Sequence, residues 1–360
     1  MDSMQLYQWT AMIDKAFPEL GRWQKLGLAL FSYGVILAHN CQLCVVAQAL
    51  TGRAQASSLE RRLQRWLANE RLGMEVVFKH WIDWVLRLWG DAPLLVLVDE
   101  TKRSNHVAVM MVGLAYHASA IPLIWRAYQT QDYPVEGQVA LMNSLLTTVK
   151  SRLSDEQQAL VLADRGLGTS PEWQAHLEAS GWDYLVRVQR MTRIRLPNQQ
   201  PQPLQRLVGY GQSWRGRGQV FKKAGWQWKW VYLVWEFGYT QPWCLFSNQP
   251  QLSPQLYHWR FHHEAGFRDL KSDGFQWQRS HVFAPAHVER LLLVLALATL
   301  WVLTQGTRVL HLYPLSRRQQ RLSLFRLGFD YLRELFHTCK PGCLDFFLVP
   351  DTPWLKTVVP

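Results

Sequence analysis

Two apolar runs in this 360-residue chain each end in an aspartate: LLVLV (94–98) before Asp99, and ALVLA (159–163) before Asp164. Glu264 lies in a third segment, YHWRFHHEAGFRDLK (257–271). Carboxylates where neighbouring buried strands emerge, joined by one from a flanking helix, make an oxygen-rich cup suited to hard cations such as Mg²⁺ or Mn²⁺. Two such ions can clamp an in-line phosphoryl transfer, one activating the attacking oxygen and the other steadying the leaving oxygen. Alone, an aspartate after an apolar strand is more often a turn former or cap than a ligand. The conjunction of three makes the sharper reading.

If 257–271 is α-helical at about 100° per residue, Tyr257, Arg260, Glu264 and Lys271 fall within roughly a 60° arc. One glutamate then shares a stripe with three side chains that seek phosphate, as on a surface that meets an anion. Arg165, directly after the second aspartate, is expected to contact the same anion. Glu100 neighbours Asp99, but adjacent strand residues point to opposite faces, so both cannot enter one cup. Lys102 and Arg103 read as ordinary loop charges.

The elements that must position these residues follow from periodicity. Residues 1–90 carry helical spacing almost throughout. In ASSLERRLQRWL, Ser57 or Ser58 can cap a helix whose Leu59, Leu63, Trp66 and Leu67 are apolar, while Arg61, Arg62 and Arg65, with Arg71 beyond, are basic. After Pro93 come strands at 94–98, 107–117 and 120–128, a helix at 136–153, a strand at 159–163, a helix from Ser170 and a strand from Asp183. With the helix at 257–271, this is the element order of an RNase H-like fold, a mixed sheet flanked by helices. Residues 190–242 read as a β-rich insertion, and 306–360 as a short helical tail.

Lys+Arg 39 against Asp+Glu 27 gives a net charge of +12 and a pI near 9.6, which favours a polyanionic partner, nucleic acid first. The start of the chain lacks the pattern of a signal peptide. The run LLLVLALATLWVL (291–303) is about a dozen residues, short of the roughly 20 that span a bilayer. It reads as a buried helix, and the chain as cytoplasmic. Five cysteines, an odd number, argue against a disulfide framework. Cys41 and Cys44 with Cys339 and Cys343 could form a four-thiolate zinc site, although NCQLCVVAQAL is an apolar helical pattern in which buried thiols are common.

YHWRFHHEAGFRDLK matches the Y-x2-R-x3-E-x6-K signature of the insertion sequence 4 family of DDE transposases at Tyr257, Arg260, Glu264 and Lys271. LVLVDET and LVLADRG resemble that family's two aspartate motifs. The resemblance covers about residues 55–305. It implies an N-terminal helical DNA-binding domain (1–90) and an RNase H-like catalytic domain in two parts (91–189 and 243–305) interrupted by the insertion (190–242), whereas the tail (306–360) is short for the dimerising C-terminal domain of the larger family members. It further implies Asp99, Asp164 and Glu264 as catalytic, metal-holding residues with two Mg²⁺ or Mn²⁺ ions. Tyr257, Arg260, Lys271 and Arg165, with Arg61, Arg62 and Arg65, would contact DNA. Trp243, at the start of the strand after the insertion, would stack on a base drawn from the helix of a hairpin intermediate. A homodimer pairing two element ends and inserting into target DNA completes the expectation. His258, His262 and His263 are expected to be structural or DNA-facing. A regulator that binds DNA without cutting it, or a nuclease of the same fold, are the rival readings.

Overall fold

A computed structural model describes residues 4–52, 54–338 and 344–351. Five helices open the chain: α1 (Met4–Ala16), α2 (Arg22–Ala38), α3 (Leu43–Ala49), α4 (Ala56–Leu67) and α5 (Met74–Trp89). Helix α4 begins at Ala56 after Gln55, so Ser57 and Ser58 lie inside it rather than capping it. The strands β1 (Leu94–Arg103), β2 (Val107–Tyr116) and β3 (Ser119–Gln129) follow. Next come α6 (Gly137–Lys150), β4 (Ala159–Ala163), α7 (Arg165–Gly168), α8 (Pro171–Ala179) and β5 (Asp183–Arg187). Then come β6 (Arg193–Arg195), β7 (Gln202–Pro203), β8 (Ser213–Val220), β9 (Gln227–Val234) and β10 (Trp243–Ser247). A 3₁₀ turn at Pro254–Arg260 leads into α9 (Phe261–Leu270), and α10 (Pro285–Leu312) and α11 (Leu324–Thr338) complete the elements.

The strands form one mixed sheet in the order β3-β2-β1-β4-β5-β10-β9-β8-β6-β7, with β4 parallel to both β1 and β5 and the other pairs antiparallel. The strands of 190–242 are therefore added to the edge of the same sheet through β10. Both faces are covered, which explains why β1 and β4 are apolar on consecutive residues. Leu94, Val96 and Val98 face a large core shared with the N-terminal helices and α10. Leu95, Leu97, Leu160, Leu162, Leu185 and Leu245 face a smaller core closed by Leu256 and Tyr257 of the 3₁₀ turn.

Three expectations change. Strand β1 does not end at Val98 but continues to Arg103, paired with β2 alone after β4 has ended opposite Val98. Residues 257–260 are 3₁₀, at about 120° per residue, so the single stripe from Tyr257 to Lys271 does not form. Lys271 is the residue that closes α9. The buried helix over 291–303 is 28 residues long, and the 305/306 boundary falls inside it. Although long and apolar enough to cross a bilayer, α10 has most of its apolar stretch buried within the protein.

Helix α11 packs along α10 rather than standing apart, burying Phe325, Phe329, Leu332 and Phe336. A Cβ at Gly328 would collide with the Val302 carbonyl, so glycine allows the two backbones to approach. The N-terminal helices share this core: Trp9 stacks on Trp301 at 4.3 Å between ring centroids, and Trp81 donates to the Pro122 carbonyl of β3 at 2.8 Å.

Candidate active site

Asp99 and Asp164 come together through strand register. Val98 pairs with Ala163 across the parallel β1–β4 ladder, so the next residue on each strand is an aspartate, and both continue the face of Leu97 and Leu162. Adjacent strands lie about 4.8 Å apart. Asp164 is also a cap, since its Oδ1 accepts from the N–H groups of Gly166 (2.8 Å) and Leu167 (3.2 Å) at the start of α7. That pair of hydrogen bonds from the backbone fixes the carboxylate's direction. A Cβ at Gly168 would strike the Arg187 carbonyl, so glycine lets α7 sit tightly on β5 and holds the cap in place.

Asp99 Oδ1 accepts from the Glu100 N–H at 2.8 Å, and Oδ2 from Arg260 at 3.2 Å. Burial pushes the Asp99 carboxyl up to about 6; Arg260 pulls against that shift and the neighbouring Asp164 charge adds to it. Arg260 also donates to Glu264, one helical turn along. The guanidinium thus stands between two of the three carboxylates as their counter-charge. Glu264 is the most open of them, its side chain 51 % exposed against 17 % for Asp99. Among the described residues, no three acidic, histidine or cysteine side chains converge closely enough to share one ion in this arrangement.

Glu100 points the other way, accepting from the Tyr128 hydroxyl and pairing with Lys102 at 3.4 Å. Arg103, expected as a loop charge, is buried: it donates to the carbonyls of Gln278 and Val282 and lies 4.2 Å from the Phe283 ring centroid. Lys271 donates to the Lys102 carbonyl at 3.0 Å, tying the end of α9 to β1 beyond Asp99. Arg165 is exposed beside Asp164.

Tyr257 and Trp243 are buried together with edge-to-face geometry, their centroids 5.1 Å apart. His258 and Tyr239 pack edge-on against the same indole. Burial raises the Tyr257 phenol to about 12. The histidines divide. His263 is fully in the core, stacked on Phe267, and burial lowers it to about 3. His262 is lowered to about 4 for the same reason, and His258 faces Glu236 at 3.6 Å.

Arg187 was not among the expected site residues. It ends β5, and with Leu185 and Leu162 paired it continues the face and row of Asp164. The signal was available: DYLVR ends the third parallel strand in a charge, as LLVLV and ALVLA lead to theirs.

Arg61, Arg62 and Arg65 are exposed on α4, whose Leu59, Leu63, Trp66 and Leu67 are buried against its neighbours. Arg62 and Arg65 line a groove of about 580 Å³ with Trp66 and with Trp23, which is 72 % exposed. Cys41 is buried, with its thiol pushed up to about 12, and Cys44 is exposed. Cys339 and Cys343 lie outside the described residues.

Residues 129–301 match the family model described as a transposase DDE domain, just under half of the chain. The matched segment holds Asp164 and Glu264 and begins after Asp99. The match supports a transposase, a DNA-processing enzyme. Comparison with curated proteins found no match to the chain.

Proposed function

We propose that the protein is a cut-and-paste DNA transposase of the insertion sequence 4 type, and that Asp99, Asp164 and Glu264 hold the divalent cations of its cutting site. The observation that carries the reading is the register of two aspartates on adjacent parallel strands, with Glu264 linked to one of them through Arg260. The strand order β3-β2-β1-β4-β5, with β2 antiparallel to its neighbours, is that of an RNase H-like sheet and supports the same fold reading.

The donor set fits a hard cation. All three groups offer carboxylate oxygens, and Asp99 is a desolvated carboxyl beside a second negative charge, which a divalent cation would relieve. When bound, Mg²⁺ or Mn²⁺ ions would activate the attacking water or 3′-hydroxyl and stabilise the leaving oxygen. The side chains do the rest. The two aspartates keep a fixed relative direction through the ladder and the α7 cap. Arg260, freed from one carboxylate, joins Lys271, Arg165 and Arg187 in gripping phosphates, for which a planar guanidinium is well shaped.

Trp243 would stack on a base drawn out of the duplex during hairpin formation, once Tyr239 or His258 leaves its ring. The groove beside Arg62 and Arg65 is the surface proposed to bind element ends, one protomer of a homodimer to each end, with the complex acting at the nucleoid.

The test is to incubate the protein, Mg²⁺ and a target plasmid with a duplex made from the DNA that natively flanks the reading frame. The proposal predicts plasmid joined covalently to that duplex. Cutting without joining would identify a nuclease, and binding without cutting a regulator.

A further inference from the structure

From Arg190 to Trp235 the chain carries nine Lys and Arg residues and not one Asp or Glu. Five of the nine, Arg193, Arg195, Arg215, Arg217 and Lys229, stand on the strands that extend the sheet. Strand pairing decides where those charges point. Arg187 pairs with Leu245, Leu245 with Tyr232, and Tyr232 with Arg215. Directly opposed residues lie on the same face, so one transverse row runs from Asp99 and Asp164 through Arg187 to Arg215. The next row out places Arg217 beside Trp230, and the one after it places Arg195 and Gln219 beside Trp228. Arg193, two residues from Arg195, shares that face.

This face is open at its outer end. Arg193, Arg215 and Arg217 are exposed, and Trp228 is 48 % exposed. Among the described residues no carboxylate pairs with Arg193, Arg195, Arg215 or Arg217. On the opposite face, Lys229 is buried and paired with Glu178 at 2.6 Å. The charges on the carboxylate face are thus the ones left for a partner.

We infer that the outer strands β6, β8 and β9 form a second DNA-backbone surface, continuous with the carboxylate face, that holds the duplex on one side of the cutting site. The inference rests on the transposase reading for the identity of the cut DNA. The tryptophans argue for a duplex rather than a single strand. Arg195 lies over Trp226 at 4.6 Å and Arg217 over Trp228 at 5.5 Å. One face of each ring is already taken by a guanidinium, which suits arginines propped towards phosphates better than open rings awaiting bases. Gln219 fixes Arg195 further through a 2.7 Å hydrogen bond. From β4 outward through β5, β10 and β9 to β8 is about 19 Å at about 4.8 Å per strand, roughly five to six base steps of 3.4 Å.

The experiment compares wild type, R215Q/R217Q and the charge-retaining R215K/R217K by fluorescence anisotropy on a 30-base-pair duplex of the flanking DNA. It is run in EDTA across a range of salt, with circular dichroism to show that each variant is folded. Losing two phosphate contacts should lower affinity at least tenfold and make the slope of log K against log salt shallower by about 2, while the lysine variant keeps the wild-type slope. Hydroxyl-radical protection of about five to six base pairs on one side of the cut should shrink in the glutamine variant.

Equal affinity and slope for wild type and R215Q/R217Q would overturn the surface, as would an oligo-dT strand that competes as well as duplex. Metal-dependent cutting of the same duplex is scored separately. Cutting with no binding defect in R215Q/R217Q removes the surface and leaves the transposase reading. A binding defect in a protein that never cuts removes the transposase reading and leaves a DNA-binding surface.

Discussion

Arg260 donates to Asp99 at 3.2 Å and, from the same guanidinium, to Glu264. One cation from the chain therefore stands between two carboxylates, in the place the proposed function assigns to a metal ion. Burial alone would disfavour an ionised Asp99 next to Asp164, and Arg260 offsets that cost.

Arg260→Ala should accordingly destabilise the metal-free protein by about 1–3 kcal/mol, the range for losing hydrogen bonds to a charged partner. Millimolar Mg²⁺ should restore more of the melting temperature in the variant than it adds to wild type, because the ion then supplies the counter-charge that Arg260 provided. Differential scanning fluorimetry with Mg²⁺ or EDTA measures both effects. The same Mg²⁺-dependent shift in both proteins would show that Arg260 and the cation do not share a place.

Trp243 supports both packing and the proposed stacking, and two substitutions separate them. Trp243→Ala removes a buried indole from contact with Tyr257, His258 and Phe261 and should cost about 3–5 kcal/mol. Trp243→Phe should keep most of that stability and still lower the yield of hairpin-ended DNA on sequencing gels. Unchanged hairpin yield in a stable Trp243→Phe protein would leave Trp243 a packing residue only.

Asp269 provides a pH test remote from the carboxylate pair. Its Oδ2 accepts from the Ser119 hydroxyl at 2.7 Å, and burial raises its pKa from 3.8 to about 7. Above about pH 7 the folded protein must hold this carboxylate charged and desolvated, which lowers stability. As pH falls towards 3.8, the folded state takes up a proton that the unfolded chain still lacks, and that penalty fades. Asp269→Asn should therefore melt higher than wild type at pH 8, and the gap should close as pH falls through 7 towards 4. A gap independent of pH would contradict the raised pKa.

The strands bearing the aspartates could be read in the sequence because burial on both faces leaves an unbroken apolar run ending in charge. Their mutual register could not, since it depends on which strands pair. Tyr257 leaves the helical stripe expected for 257–271 because its segment is 3₁₀ up to Arg260, and the ring turns into the aromatic cluster while Arg260 and Glu264 remain neighbours. Arg103 looked like a loop charge because nothing local announces the distant carbonyls of Gln278 and Val282 that bury it. Arg187 and Arg215 join the carboxylate row only through pairings spread from 94 to 247.

The most direct measurement of the central claim is nicking of the flanking-DNA duplex by wild type, Asp99→Asn, Asp164→Asn and Glu264→Gln, each with Mg²⁺ and with EDTA. The account predicts cuts at the element ends only for wild type with Mg²⁺, and a loss of at least about 10³-fold, on the order of 4 kcal/mol, in each variant. Cutting by any of the three folded variants at the wild-type rate would contradict it.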